Sequence, residues 1–138
     1  MRRSSYGDVR CLLFAVVTCA AVSAANAAGP GAAQRDVEGY AIASCLIAMK
    51  EPYLKEQGDG WGSVIVQRSK LGLEALNAVA AVVKTEVSKG NMAVTRVETE
   101  PEKDLALPVM YCNEIIYTPA VRAAIKEAVK KFAAARQR

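Results

Sequence analysis

In four stretches of this chain, apolar positions recur at steps of three and four, the period of one face of an α-helix. Ala41, Ile42, Cys45, Leu46, Ala48 and Met49 predict a first helix, capped by Asp36 and running to about Lys50, where Glu51-Pro52 breaks the pattern. Residues 28–35 read as a frayed, small-residue lead-in to it. Leu76, Val79, Val83 and Val87, widened by Ala75, Ala78 and Val82, predict the longest helix, from Ser69 or Lys70 to about Ser88. So broad a stripe suits a central helix with neighbours on several sides. Val109, Cys112 and Ile116 follow Pro108 and predict a helix reaching Tyr117. Thr118-Pro119 then starts a last helix, with Thr as cap and Pro as first residue, whose face is Val121, Ile125, Ala128 and Phe132.

The segments between these helices are less regular. Residues 51–62 (EPYLKEQGDGWG) read as a turn-rich link. Ser63 followed by Val64, Ile65 and Val66 suits a strand by β-branching and a helix by capping. With no second convincing strand to pair with, the helical reading is taken. Lys89-Gly90-Asn91 is a helix stop. Residues 91–104 have no sustained helical period and hold Glu98, Glu100, Glu102 and Asp104, with Thr99 and Pro101 opposing regular structure. They read as a loop containing at most a short extended piece at Val94–Val97. The expected fold is all-α, a small bundle of about five helices.

The N-terminus carries a different pattern. Arg2, Arg3 and Arg10 precede a mainly apolar run from Cys11 to Ala25, and Ala25-Asn26-Ala27 has the small-x-small form of a signal-peptidase site. The run is short for a membrane span, which takes about 20 residues. Thr18 before Cys19 does not suit a lipoprotein site, and Arg2-Arg3 lacks the remainder of a twin-arginine signal. The reading is a secretory signal at 1–27 and a single domain at 28–138, exported to a Gram-negative periplasm and free of the membrane once cleaved.

Charge narrows the partners. The chain has 18 basic and 14 acidic residues; the signal holds three arginines and one aspartate, which leaves 15 against 13. Basic residues concentrate only at Lys126, Lys130, Lys131, Arg136 and Arg138, the solvated end of a helix with cations where its dipole favours them. No nucleic-acid partner is expected.

Two cysteines, Cys45 and Cys112, remain after the signal, each on an apolar helical stripe. In an oxidising compartment they should be joined. There is no histidine, which excludes histidine-based triads and histidine-containing zinc sites, and there is no C-x-x-C. The Gly58-Asp59-Gly60-Trp61-Gly62 cluster has neither the spacing nor the context of a phosphate loop. No catalytic residue, metal site or cofactor is assigned, and the chain is not expected to be an enzyme. Two features suit binding instead. Trp61 sits among glycines, a ring packed over the core edge or, less favoured, an exposed anchor. The acidic loop is long for a link between helices in so small a domain.

Leu105 to Val121 (LALPVMYCNEIIYTPAV) resembles the C-terminal signature of the immunity proteins that neutralise type VI secretion amidase effectors. Tyr40 to Leu46 (YAIASCL) is similar to that family's early cysteine motif. The resemblance covers roughly residues 38–125 and places both cysteines where the family has its disulfide. Tyr111 stands where a lysine is common, Thr118-Pro119 replaces a serine-led start, and the acidic loop is longer and more charged. The resemblance implies a periplasmic all-α protein, usually a homodimer, that binds a peptidoglycan amidase and occludes its cleft, in part through a loop projecting from the helical body. By position that loop is 91–104, with Val94, Val97, Glu98, Glu100, Glu102 and Asp104 as the partner-binding residues. The alternative reading is a small disulfide-stabilised periplasmic chaperone, or an inhibitor of another enzyme such as lysozyme.

Overall fold

The computed structural model describes residues 30–69, 72–98 and 100–135. The segment 1–27 read as a signal lies outside the described residues. Five α-helices and one two-stranded antiparallel sheet follow in the order α1 (Pro30–Ile47), α2 (Pro52–Arg68), α3 (Leu73–Val87), β1 (Val94–Val97), β2 (Glu100–Ala106), α4 (Pro108–Glu114) and α5 (Pro119–Ala135). A 3₁₀ turn, Ile115–Tyr117, joins the last two helices. The architecture is mostly all-α, as the periodicity predicts.

The first helix starts earlier than its capping signal suggests. Pro30 occupies the helix start, where its missing N–H costs nothing, and Ala32, Ala33, Gln34 and Arg35 are good helix formers that carry the helix on from it. Asp36 is therefore not a cap. It lies inside α1 and accepts from Arg68 Nε of α2 at 3.1 Å, so it ties two helices together.

The expected link at 51–62 is instead the first two-thirds of α2. Pro52 sits in its first turn, and three glycines follow inside the helix, each costing up to about 1 kcal/mol against alanine in intrinsic propensity. Packing explains two of them. A Cβ on Gly58 would lie 2.6 Å from the Ala43 carbonyl oxygen and 2.9 Å from Ile47, and one on Gly62 would lie 3.6 Å from the Tyr40 ring. Gly58 and Gly62, four residues apart on one face, are where α2 presses its backbone onto α1. Val64–Val66 are helical, as the capping argument favours, and Ile65 is fully buried. Trp61 is thus on a helix, not in a loop. Its ring covers Gly39 of α1 and stays 40 % exposed.

The long central helix is also reassigned. α3 begins only at Leu73 and buries one face, Ala75, Leu76, Val79 and Val83, while Ala78 is exposed. The element with neighbours on several sides is α1, which packs on α2, α3, α4 and α5. Its Val37, Ala41 and Cys45 meet Leu76, Val79 and Val83 of α3 and Val121, Ile125 and Phe132 of α5 in one core. Gly90, at φ 72°, supplies the left-handed residue that stops the chain after α3.

Cys45 and Cys112 are joined, with Cα atoms 5.5 Å apart. The bond closes a loop with a sequence separation of 67, for which the chain-entropy relation gives about 4 kcal/mol of stabilisation. That is a large share of the ~5–15 kcal/mol typical of a domain. Thr118 precedes α5 as expected, but its hydroxyl donates to the Ile115 carbonyl at 2.9 Å; its own carbonyl accepts from Arg122 N–H. No helix among the described residues is long and apolar enough to cross a membrane.

Candidate interaction site

The acidic segment is not a loop but a β-hairpin. The extended piece expected at Val94–Val97 is β1, and its partner β2, Glu100–Ala106, takes in residues 100–104 of the expected loop. Val94 pairs with Ala106, Thr95 with Leu105, and Arg96 with Asp104; the register then shifts, so that Val97 faces Glu100. The opposite charges of Arg96 and Asp104 suit directly facing positions, and β-branched Val94, Thr95 and Val97 suit a strand. Pro101 lies at the irregular end, where a missing ladder donor is tolerated. Local composition argues against structure here; cross-strand pairing overrides it.

The hairpin stands clear of the helices. Side chains of facing residues share one side of a sheet, so Val94 and Ala106 belong to one side and Thr95 and Leu105 to the other. All four are exposed, Val94 at 57 % and Leu105 at 52 %. Both sides of the ribbon therefore face solvent, and β1 and β2 pack chiefly on each other. An isolated two-stranded ribbon is marginal in water, so its base matters. Leu107 N–H donates to the Ala93 carbonyl at 3.2 Å, half-buried Met92 packs against the core, and α4 begins one residue after Leu107.

Tyr111 of α4 adds a second tether. It is half-buried, and its hydroxyl donates to the Glu86 backbone carbonyl at the end of α3, at 3.4 Å. Burial pushes its pKa up, the Glu86 carboxylate pushes it further, and the Lys89 ammonium opposes both. Lys89 and Glu86 are themselves paired at 2.6 Å. Tyr111 thus pins the helix that carries Cys112 to the helix that precedes the hairpin.

Of the residues expected to bind a partner, Val94, Glu98 and Asp104 are exposed on this one ribbon. Val97, Glu100 and Glu102 are placed in its strands by their backbone, and their side chains lie outside the described residues. Sequence reasoning missed Leu105, Met110 and Val109. Val109 was expected in the buried stripe with Cys112 and Ile116, yet it is 62 % exposed. The physical reason is the shortness of α4, seven residues long, of which Cys112 alone is fully buried. Its first turn leaves Val109 and Met110 in solvent near the hairpin base. Exposed aliphatic groups beside carboxylates on a braced projection form a surface suited to contact with a protein. Among the described residues no cluster of three or more metal-ligating side chains is present.

Comparison with known protein families, with characterised proteins and with solved structures finds no match to this chain.

Proposed function

We propose that this chain is an exported, non-enzymatic inhibitor: a periplasmic immunity protein that binds a type VI secreted peptidoglycan amidase and blocks its active-site cleft with the 94–106 hairpin. The observation that carries the reading is the hairpin itself, exposed on both sides and anchored at its base to the disulfide-bearing helix. The sequence resemblance puts that family's occluding loop at the same stretch of the chain. A projection fixed before binding loses little conformational freedom when it docks. Its four acids against Arg96 and Lys103 make it net acidic, suited to steering toward a basic cleft. The apolar signal run and the cysteine pairing support export.

The test is direct. The reading expects a small Cys/His amidase in the neighbouring reading frame; the mature chain, residues 28–138, is mixed with that enzyme, and release of peptidoglycan stem peptides is followed. Stoichiometric inhibition with formation of a stable complex supports the reading; full amidase activity with the inhibitor in excess overturns it. A chaperone is the second reading, favoured by the exposed Tyr53, Trp61 and Val64 of α2. Acid-induced protection of unfolded client proteins from aggregation, without any effect on the amidase, would select it.

A further inference from the structure

On one flank of the bundle α1 and α5 leave a groove of about 280 Å³, and no residue of the hairpin lines it. Its floor is apolar, built from buried Ile116 and Ile125 and half-buried Val129. Arg122, Lys126 and Lys130 line it from α5, each four residues from the next, so cations recur every ~6 Å along one wall. All three are exposed, and among the described residues none of them joins an ion pair. The α1 side differs. Gln34 and Glu38 stand there, and the Gln34 amide donates to the Glu38 carboxylate at 2.9 Å. Glu38 is the one acid among the lining residues, so the groove is cationic along α5 and not along α1.

This combination selects a ligand. Exposed ion pairs are weak by themselves, and an apolar floor alone takes any apolar group. A ligand that uses both carries anions on one side and apolar groups on the other. Arginine and lysine stems lie along apolar surface and lift their charges toward water, so the anions belong at the rim and the apolar groups below. The spacing narrows the class further. Side chains of an extended peptide alternate between two sides, and those on one side recur every ~6.6 Å. Acids at every second residue of such a peptide keep step with the row on α5, while the residues between them face the floor. A single-headed anionic lipid has no use for the repeat of the row.

We propose that this groove docks an extended acidic segment of a partner protein, its alternate carboxylates on Arg122, Lys126 and Lys130 and its intervening apolar residues on Ile116, Ile125 and Val129. Charge steers the encounter and fixes the register, and burial of the apolar residues supplies the adhesion. Glu38 repels acids from the α1 side and so holds the segment against α5. Because the lining excludes the hairpin, a chain holding this segment keeps its hairpin free.

Fluorescence anisotropy of a labelled probe on the mature chain, residues 28–138, tests this. The probe is a blocked pentapeptide of alternating glutamate and leucine that begins and ends on glutamate. It is expected to bind saturably with a Kd on the order of 100 μM and to weaken with salt. The same composition with its glutamates consecutive, and the probe with serine for each leucine, are each expected to bind at least about fivefold more weakly. Lys126→Glu is expected to weaken the alternating probe at least about tenfold, and Glu38→Gln to tighten it. Lys126 is exposed, and circular dichroism checks that its variant is folded. No saturable binding at about 1 mM, equal affinity for the consecutive peptide, or affinity unchanged in Lys126→Glu overturns the proposal. So does displacement of the probe by dodecanoate at equal concentration, which would assign the groove to a single-headed lipid. The binding is read without any amidase, so its failure leaves the inhibitor reading standing, and failure to inhibit leaves this site standing.

Discussion

The amide of Leu107 donates to the carbonyl of Ala93 at 3.2 Å, and this bond closes the foot of a hairpin that otherwise stands in solvent. One residue later α4 begins, and Cys112 on it is bonded to Cys45 of α1. The chain thus runs from an exposed acidic ribbon into the most constrained point of the core in six residues. That proximity lets a marginal two-stranded element hold one position.

Removing the disulfide tests the brace. The double variant Cys45→Ala/Cys112→Ala is expected to lose about 2–5 kcal/mol in urea unfolding, and reductant is expected to shift wild type in the same direction. Thiol titration of unreduced, denatured mature protein should find none free. A free thiol, or a variant as stable as wild type, contradicts the pairing.

Two glycines of one helix should respond in opposite ways to the same change. Gly58→Ala puts a methyl 2.6 Å from the Ala43 carbonyl oxygen, so α1 and α2 must separate, with an expected loss of about 1–3 kcal/mol. Gly60, with nothing within 4 Å of its added Cβ, gains helix propensity on becoming alanine, up to about 1 kcal/mol. Thermal unfolding of the two variants should move Tm in opposite directions from wild type. Equal shifts would mean that α2 does not press on α1 at Gly58.

Tyr111 sets a pH dependence with a definite sign. Its pKa is raised from 10.0 in the folded state, chiefly by burial and then by Glu86. The neutral phenol is the form the fold favours, so its contribution is fully present below about pH 10 and is lost as pH rises through the folded value. Ionisation also removes the donor to the Glu86 carbonyl. Tyr111→Phe lacks both effects. Unfolding followed from pH 8 to 11.5 should show wild type falling more steeply than Tyr111→Phe above about pH 10. Parallel curves would remove Tyr111 from the account.

Much of the helical framework is legible from periodicity, because the faces of α1, α3 and α5 repeat over several turns and bury most of what they display, Ala48 and Ala78 excepted. The cysteine pair is legible for the same reason: both residues fall on apolar stripes. What escaped depends on partners distant in sequence. Gly58 and Gly62 look like loop residues until α1 is placed against them. Asp36 looks like a cap until Arg68 lies beside it. Residues 100–104 look irregular until β1 pairs with the strand they belong to. The acidic segment stands out in the sequence by its charge and length, but its hairpin form does not. Its apolar components, Leu105 and Val109, were not, because exposure cannot be read from a short helix whose stripe happens to include a cysteine.

The central claim is that the 94–106 hairpin is the recognition element, and the most direct measurement compares inhibition by wild type with that by the variant Glu98→Ser, Glu100→Ser, Glu102→Ser, Asp104→Ser. These positions lie outside the helical core, so the Tm should stay close to that of wild type. The account predicts a loss of amidase inhibition of at least about tenfold in affinity, with the lost affinity arising mainly from slower association at low salt. Inhibition and affinity unchanged by the four substitutions would contradict it.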